Sequence, residues 1–300
     1  MILFIVGEYI YSTKSRKAEF FEVMGKAVMI TSFKGGVGKS TVAVNLAAGL
    51  AFAGYKTLIV DLDFSSGSVD LFMGCEHDAL YSFCDVAERR VTLIEAVYAK
   101  KSEAGKAGGG PGYFLDVLKA PPSYDMSIPF EKAAGEFVEE TKDLYDFIIF
   151  DCPSGKFPLF DILAKTADSI FVVTLHSAAS VRAAEKLAFS LSENGGKSEN
   201  VRLIINGFNP GGVAKGLNLG IVDIIEHSKI KLIGLIETNY HIRNLQETGK
   251  TVYDVKNKKL KTPFEDIIGR FLDNNIILNK KYDGYKTERL YFKKEIKKPN

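Results

Sequence analysis

The stretch Phe33-Lys34-Gly35-Gly36-Val37-Gly38-Lys39-Ser40-Thr41 decides the fold. A short apolar run, Ala27-Val28-Met29-Ile30, precedes it and reads as a buried strand. Val42 to Leu50 follows with helical apolar spacing. A glycine loop between a strand and a helix N-terminus is a phosphate site. Without side chains, the glycines let backbone N–H groups close on an anion, and the helix dipole adds partial positive charge. Lys39 would set its ammonium between the last two phosphates of a nucleoside triphosphate. The Ser40 hydroxyl would coordinate Mg²⁺, and Thr41 would hydrogen-bond the first phosphate. The strict phosphate-loop spacing asks for glycine at its first position. This chain has Phe33 there, and a second lysine, Lys34, directly before the double glycine.

Outward from the loop, the chain alternates apolar strands with helical segments. Lys56 to Leu62 reads as the second strand, with Gly54 closing the helix before it. It delivers Asp61 and Asp63, which lie two apart and on an extended strand end would point the same way. Ligands of open α/β sheets sit at the carboxyl ends of strands, so these carboxylates would face the glycine loop. One would hold a Mg²⁺-bound water and the other would orient an attacking water. Phe64 to Ser68 is small and polar, the composition of a loop that senses a γ-phosphate. Tyr145 to Asp151 is a buried strand that ends in a carboxylate, the Walker B arrangement, and Asp151 would hold Mg²⁺ through water.

Further strands are expected at Tyr113 to Leu118, Ile170 to Thr174, Val201 to Asn206 and Lys231 to Ile236. Helices are expected at Val91 to Lys100, Glu131 to Lys142, Ser180 to Leu191, Leu217 to Ser228 and Phe264 to Leu272, with a turn at Asn209 to Gly212. Residues 105–112 read as a glycine-rich surface loop. The alternation predicts an α/β fold: a doubly wound, mainly parallel sheet with helices on both faces.

Composition narrows the class. Three hundred residues with 46% hydrophobic content can bury a sizeable core, and a net charge of +2 does not mark a nucleic-acid binder. The three cysteines, Cys75, Cys84 and Cys152, form no C-x-x-C pair, which points to a reducing cytosol without a disulfide framework or zinc site. No apolar run nears the roughly 20 residues that span a bilayer. Met1 to Gly7 is apolar but short and lacks a basic start, so it does not read as a signal peptide. Met24-Gly25-Lys26 stands directly before the first strand. Residues 1–25 therefore read as an N-terminal extension, or as a start codon taken too early.

The form Lys-Gly-Gly-x-Gly-Lys-Ser/Thr at Lys34 to Ser40 resembles the deviant Walker A motif of the MinD/ParA ATPase superfamily. The resemblance spans about residues 26–272 and is closest to the MinD branch. Val69 to Glu76 is similar to that branch's Asn-Leu-Asp-Leu-x-Met-Gly-Cys-Glu, and Leu80 to Val86 to its Val-Tyr-Asp-Phe-x-x-Val. Pro153-Ser154-Gly155 resembles a turn that reports the nucleotide state. Ser180 to Lys186 resembles a partner-recognition run, with Ala183 and Ala184 where MinD carries acidic residues. Asn206 stands where the family reads the adenine edge, and Glu237 replaces a proline that lines the adenine pocket.

The resemblance implies a slow ATPase with ATP and Mg²⁺ as cofactors. Its phosphate site would comprise Lys34, Gly35, Gly36, Val37, Gly38, Lys39, Ser40 and Thr41, with Asn206 at the base. Lys34, Lys39 and Asp63 would be catalytic, and Ser40, Asp61 and Asp151 would serve the metal. It implies an ATP-dependent homodimer in which Lys34 reaches the partner's phosphates. It also implies an activating or effector protein, and cycling on a membrane or scaffold that positions cell-division or other machinery. A ParA-like ATPase that partitions cargo on nucleoid DNA is the first alternative. A tyrosine kinase of related fold is the second, opposed by Ser65 where that family has arginine and by the presence of Lys34. Metal-cluster carriers of the superfamily would need paired cysteines.

Residues 273–300 form a basic tail. From 280 to 300 it holds eight Lys or Arg against three Asp or Glu, and eight minus three gives +5. As a helix, Tyr285, Phe292 and Ile296 would share a face while Leu290 and Tyr291 fall off it. It reads either as a solvated tail or as a contact with anionic membrane. The expected location is cytoplasmic, with peripheral contact at the inner face of the cell membrane.

Overall fold

The computed structural model describes residues 25–102, 112–121, 130–274, 276–278 and 282. Residues 1–24, most of the glycine-rich loop and tail residues 283–300 lie outside them, so the extension and the tail helix are not described.

The first strand, β1 (Lys26–Ser32), is apolar on both faces because it becomes the middle of the sheet. Helix α1 (Lys39–Phe52) follows the glycine loop, and β2 (Thr57–Asp61) follows the helix. Three short helices come next, α2 (Val69–Met73), α3 (Phe83–Ala87) and α4 (Leu93–Ala96). Strands β3 (Tyr98–Lys101) and β4 (Phe114–Leu118) precede α5 (Phe130–Lys142) and β5 (Phe147–Ser154). Then come α6 (Phe160–Thr166), β6 (Ser169–Thr174), α7 (Ala178–Glu193) and β7 (Val201–Phe208). The chain closes with α8 (Pro210–Ala214), α9 (Ile221–Ser228), β8 (Lys231–Glu237), α10 (Tyr240–Gln246) and α11 (Lys258–Phe271).

The sheet has eight strands in the order β3-β4-β2-β5-β1-β6-β7-β8. Every neighbouring pair is parallel except β3 with β4. The expected doubly wound sheet is therefore present, with one antiparallel edge. Alternation along β1 splits the core in two. Ala27 and Met29 face a layer with Phe83, Phe137, Phe150 and Phe160, while Val28 and Ile30 face α1 together with Phe147, Phe171, Phe264 and Ile267.

Four helical expectations differ from the structure, among them the helix expected from Leu217, which begins only at Ile221 after the N-cap Gly220. Val91 to Lys100 is not one helix. Thr92 caps α4 through a reciprocal bond with Glu95, and the chain then turns extended at Tyr98. β3 alternates half-buried and exposed residues against β4, and Ser102 beyond it donates to buried Asp254 at 2.5 Å. Long-range pairing thus overrides local helical spacing. The turn at Asn209 is an N-cap for α8, with proline in its first turn. Helix α11 starts at Lys258, before the expected Phe264, because Asn257 caps it and Pro263 lies inside the helix rather than at its start.

Gly49 shows how closely α1 is packed. An added Cβ would come within 2.5 Å of both Ile268 Cδ1 and Tyr253 Oη. Alanine in a helix interior ordinarily stabilises by about 1 kcal/mol over glycine. Here the sign should reverse: Gly49→Ala is expected to destabilise by roughly 1–3 kcal/mol in urea unfolding. A gain in stability would show that α11 can move off α1.

Candidate nucleotide site

The loop between β1 and α1 takes its shape from two glycines. Gly36 has φ 71° and Gly38 φ 89°, both left-handed. Gly38 is the N-cap of α1 and supplies no side-chain acceptor, so the first amides of the helix stay open to an anion.

The rest of the loop is pinned from outside. Ser32 Oγ donates to the Lys34 carbonyl at 2.7 Å, and Asn206 Nδ2 to the Val37 carbonyl at 2.8 Å. Lys39 is 8% exposed, and its Nζ donates to Ser154 Oγ at 2.7 Å. Thr41 Oγ1 donates to Gln246 Oε1 at 3.1 Å. Phe33, at the position the strict pattern gives to glycine, packs its ring 6.2 Å from that of Phe160 on α6. An aromatic side chain there fastens the loop to the helix layer below.

Two carboxylates face this loop from adjacent strands. β2 and β5 pair in register, so Asp61 lies beside Asp151 at the carboxyl ends of both. Their surroundings differ. Asp61 accepts from the backbone N–H groups of Asp63 at 2.9 Å, Ser68 at 2.9 Å and Val69 at 3.0 Å. Burial pushes its carboxyl up to about 6 in spite of those bonds, and the charge of Asp63 adds to the rise. Asp151 is 1% exposed, and neither oxygen has a hydrogen-bond partner among the described residues. Burial, and then the charge of Asp61, hold its carboxyl well above the ordinary carboxylate range. The Ser40 hydroxyl and the Lys39 ammonium draw it back only in part.

A buried carboxylate with unused lone pairs is suited to a hard cation. Among the described residues no three His, Cys, Asp or Glu side chains come together as a metal cluster. The donor set is one or two carboxylates plus a hydroxyl, which suits Mg²⁺ completed by phosphate oxygens and water.

Asp63 has different hydrogen-bond partners from Asp61. β2 ends at Asp61, and the chain turns. The Asp63 carboxylate instead accepts from Ser65 Oγ at 2.8 Å and from the N–H and Oγ of Ser66 at 3.1 and 3.0 Å. It thereby organises the polar loop 64–68, whose other end is held by Asp61. Lys34 sits at the outer, half-exposed side of the glycine loop. Glu237 ends β8, and Tyr282 Oη donates to its Oε1 at 2.8 Å. Ala184 on α7 is buried and Ala183 half-buried, so the exposed charges of that run come from Arg182, Glu185 and Lys186. Reading the sequence alone missed Gln246 and Asn45. Asn45 Nδ2 donates to the Thr41 carbonyl at 2.8 Å and its Oδ1 accepts from Val252 N at 2.9 Å, and a polar side chain in the middle of an apolar helix face was its one signal. Among the described residues, no helix is long and apolar enough to cross a membrane.

Residues 25–200 match the model of a family described as AAA domain. The septum site-determining protein MinD of Neisseria meningitidis serogroup B is 29% identical over 260 residues, covering 84% of this chain and 93% of that protein. The MinC:MinD cell division protein complex of Aquifex aeolicus contains a chain that superposes with a TM-score of 0.74 at 26% identity, covering 85% of this chain and 99% of that one. MinD of Pyrococcus horikoshii complexed with Mg-ADP has a TM-score of 0.67 at 22% identity, covering 83% of this chain and 96% of that one.

Proposed function

This chain belongs to the MinD/ParA superfamily of ATPases, in the AAA domain family, and on that premise we propose that it is an ATP-dependent dimerising switch. The observation that carries the proposal is the buried carboxylate of Asp151, without a hydrogen-bond partner among the described residues, beside a glycine loop whose Lys39 is held by Ser154.

Phosphoryl transfer asks a protein for positioning and charge more than for covalent chemistry. The loop amides from Gly35 to Ser40 and the Lys39 ammonium would bind the phosphates, with Ser154 holding Lys39 in place. Ser40 and Asp151 would hold Mg²⁺, with Asp61 beside them, and the bound ion would neutralise phosphate charge. Asp63 would orient the attacking water from a loop that closes around the terminal phosphate. Lys34 would reach across a two-fold interface to the partner's phosphates, so that triphosphate joins two subunits and hydrolysis parts them. The cycle would carry the protein on and off a membrane or scaffold and position cell-division or other machinery. The basic residues 280–300 are the proposed contact with anionic membrane. An effector protein is the proposed partner, as MinC is of the Aquifex protein. Ala183 makes its docking surface on α7 less acidic than MinD's, while Ala184 is buried beneath it.

Analytical sedimentation with ATP and Mg²⁺, using Asp63→Ala to block turnover, tests this directly. A dimer that binds anionic vesicles is expected. A dimer that leaves vesicles unbound but binds DNA with a steep salt dependence would move the reading to a ParA-type partitioning ATPase. Lys34→Ala is expected to bind ATP and stay monomeric. If that variant dimerised normally, the bridging role would be wrong.

A further inference from the structure

Gln246 is the polar side chain behind the phosphate loop that the reading above leaves without a task. It ends α10, is 6% exposed, and meets the loop only through Thr41. Its Oε1 accepts the Thr41 hydroxyl, while its Nε2 has no hydrogen-bond partner among the described residues. A buried amide N–H without an acceptor is a standing cost, and a leucine would fill the same space without it.

Both partners are held so that little besides the hydroxyl and the amide can turn. The Thr41 carbonyl is tied by Asn45, which is itself tied to the backbone of Val252. Helix α10 is docked on α2, and just beyond it the backbones of Gly249 and Gly74 touch: a Cβ on Gly74 would lie 3.1 Å from Gly249 Cα.

The pair has two arrangements. In the one observed, the single Thr41 hydroxyl hydrogen points back to Gln246 and is lost to the loop. With the amide turned over, Nε2 donates to Thr41 Oγ1 and the hydroxyl hydrogen is released toward the loop. The orphan is then a carbonyl oxygen, which is less costly to leave unpaired than an N–H. A phosphate oxygen on the loop would be the strongest acceptor for the released hydrogen.

We propose that Gln246 is a positioning residue for the nucleotide, whose amide turns over on binding and hands the Thr41 hydroxyl to a phosphate oxygen. This rests on the reading of residues 33–41 as a nucleoside triphosphate site.

The test is the Mg-ATP dissociation constant of the full chain by calorimetry, for the parent, Gln246→Leu, Thr41→Val and the double variant, with thermal unfolding of each ligand-free protein alongside. Gln246→Leu is expected to weaken binding about three- to fivefold, because binding then no longer relieves an unpaired buried N–H, without lowering ligand-free stability. The double variant should bind like Thr41→Val alone, because Gln246 acts through Thr41. Gln246→Leu binding within twofold of the parent, or losses that simply add in the double variant, would overturn the proposal. So would a ligand-free Gln246→Leu that melts well below the parent, since that marks a purely structural role. A parent that binds no Mg-ATP would instead remove the nucleotide reading itself.

Discussion

Asp151→Asn is expected to do two opposite things: to stabilise the ligand-free protein and to end its ATP turnover. In the parent, two carboxylates lie side by side at the ends of β2 and β5, and that of Asp151 has no hydrogen-bond partner among the described residues. Burial raises both above the usual carboxylate range, Asp61 to about 6 with the charge of Asp63 adding to it, and Asp151 with the charge of Asp61 adding to it. A carboxyl raised in the fold stabilises it below the unfolded value near 4, and that stability is lost as pH rises through the folded value. At pH 8 the pair is therefore a net cost. An amide at position 151 carries no charge and can donate to Asp61, so about 1–2 kcal/mol should return. That corresponds to a melting point higher by about 2–4 °C. The advantage should shrink from pH 8 to pH 4, where the parent's carboxyls regain their protons. Turnover should fall about 100-fold or more, because a neutral amide is a poor Mg²⁺ ligand where charge must be neutralised. Differential scanning calorimetry at both pH values and a phosphate-release assay check the two halves. A variant less stable than the parent at pH 8 would mean that the pair is not repulsive.

Gly38→Ala is the second large effect. Position 38 has φ 89°, a conformation that costs an L-residue roughly 1–2 kcal/mol. The new Cβ would also collide with Asn206 Nδ2, the group that holds the Val37 carbonyl. Relief requires Asn206 to leave, and with it goes the bond that sets the loop. Together these should weaken Mg-ATP binding by about 100-fold, while the sheet, which does not depend on the loop, stays folded. Adding Asn206→Ala removes the collision but not the backbone strain or the loss of the Val37 bond, so the double variant should bind no better than Gly38→Ala. Equilibrium dialysis with labelled ATP decides it. Unchanged binding by Gly38→Ala would mean that the loop does not cradle phosphate.

The parts of this site that were legible in the sequence are those written in consecutive residues. The glycine loop between an apolar run and a helix names the phosphate cradle, and four apolar residues before Asp151 name a buried strand end. What stayed hidden is long-range or depends on where a strand stops. Asn206 reaches Val37 across 169 positions and Gln246 reaches Thr41 across 205, and no local pattern announces either bond. Asp63 lies two positions past the end of β2, so strand alternation is silent on the bonds it makes to Ser65 and Ser66. Tyr98 to Lys101 joins the sheet because β4 offers an edge and Asp254 receives Ser102, neither of which a ten-residue window contains.

The strand order also dictates how this chain must be made. β1 leaves the ribosome first of all the strands, yet its partners are β5 and β6. Lys26 pairs with Phe147, and 147 minus 26 is 121 positions of waiting. At roughly 5–20 residues per second, that is about 6–24 seconds during which an apolar strand has no neighbour. β2 is better placed, since β4 on its other side emerges before β5, but the edge that faces β1 stays open until β5 slots between the two. The nascent first half therefore cannot be a finished unit, and a polypeptide halted before Phe147 should cling to chaperones rather than fold. Emergence of one strand, β5, joins the waiting β1 to the β3-β4-β2 group and commits the protein to its final form.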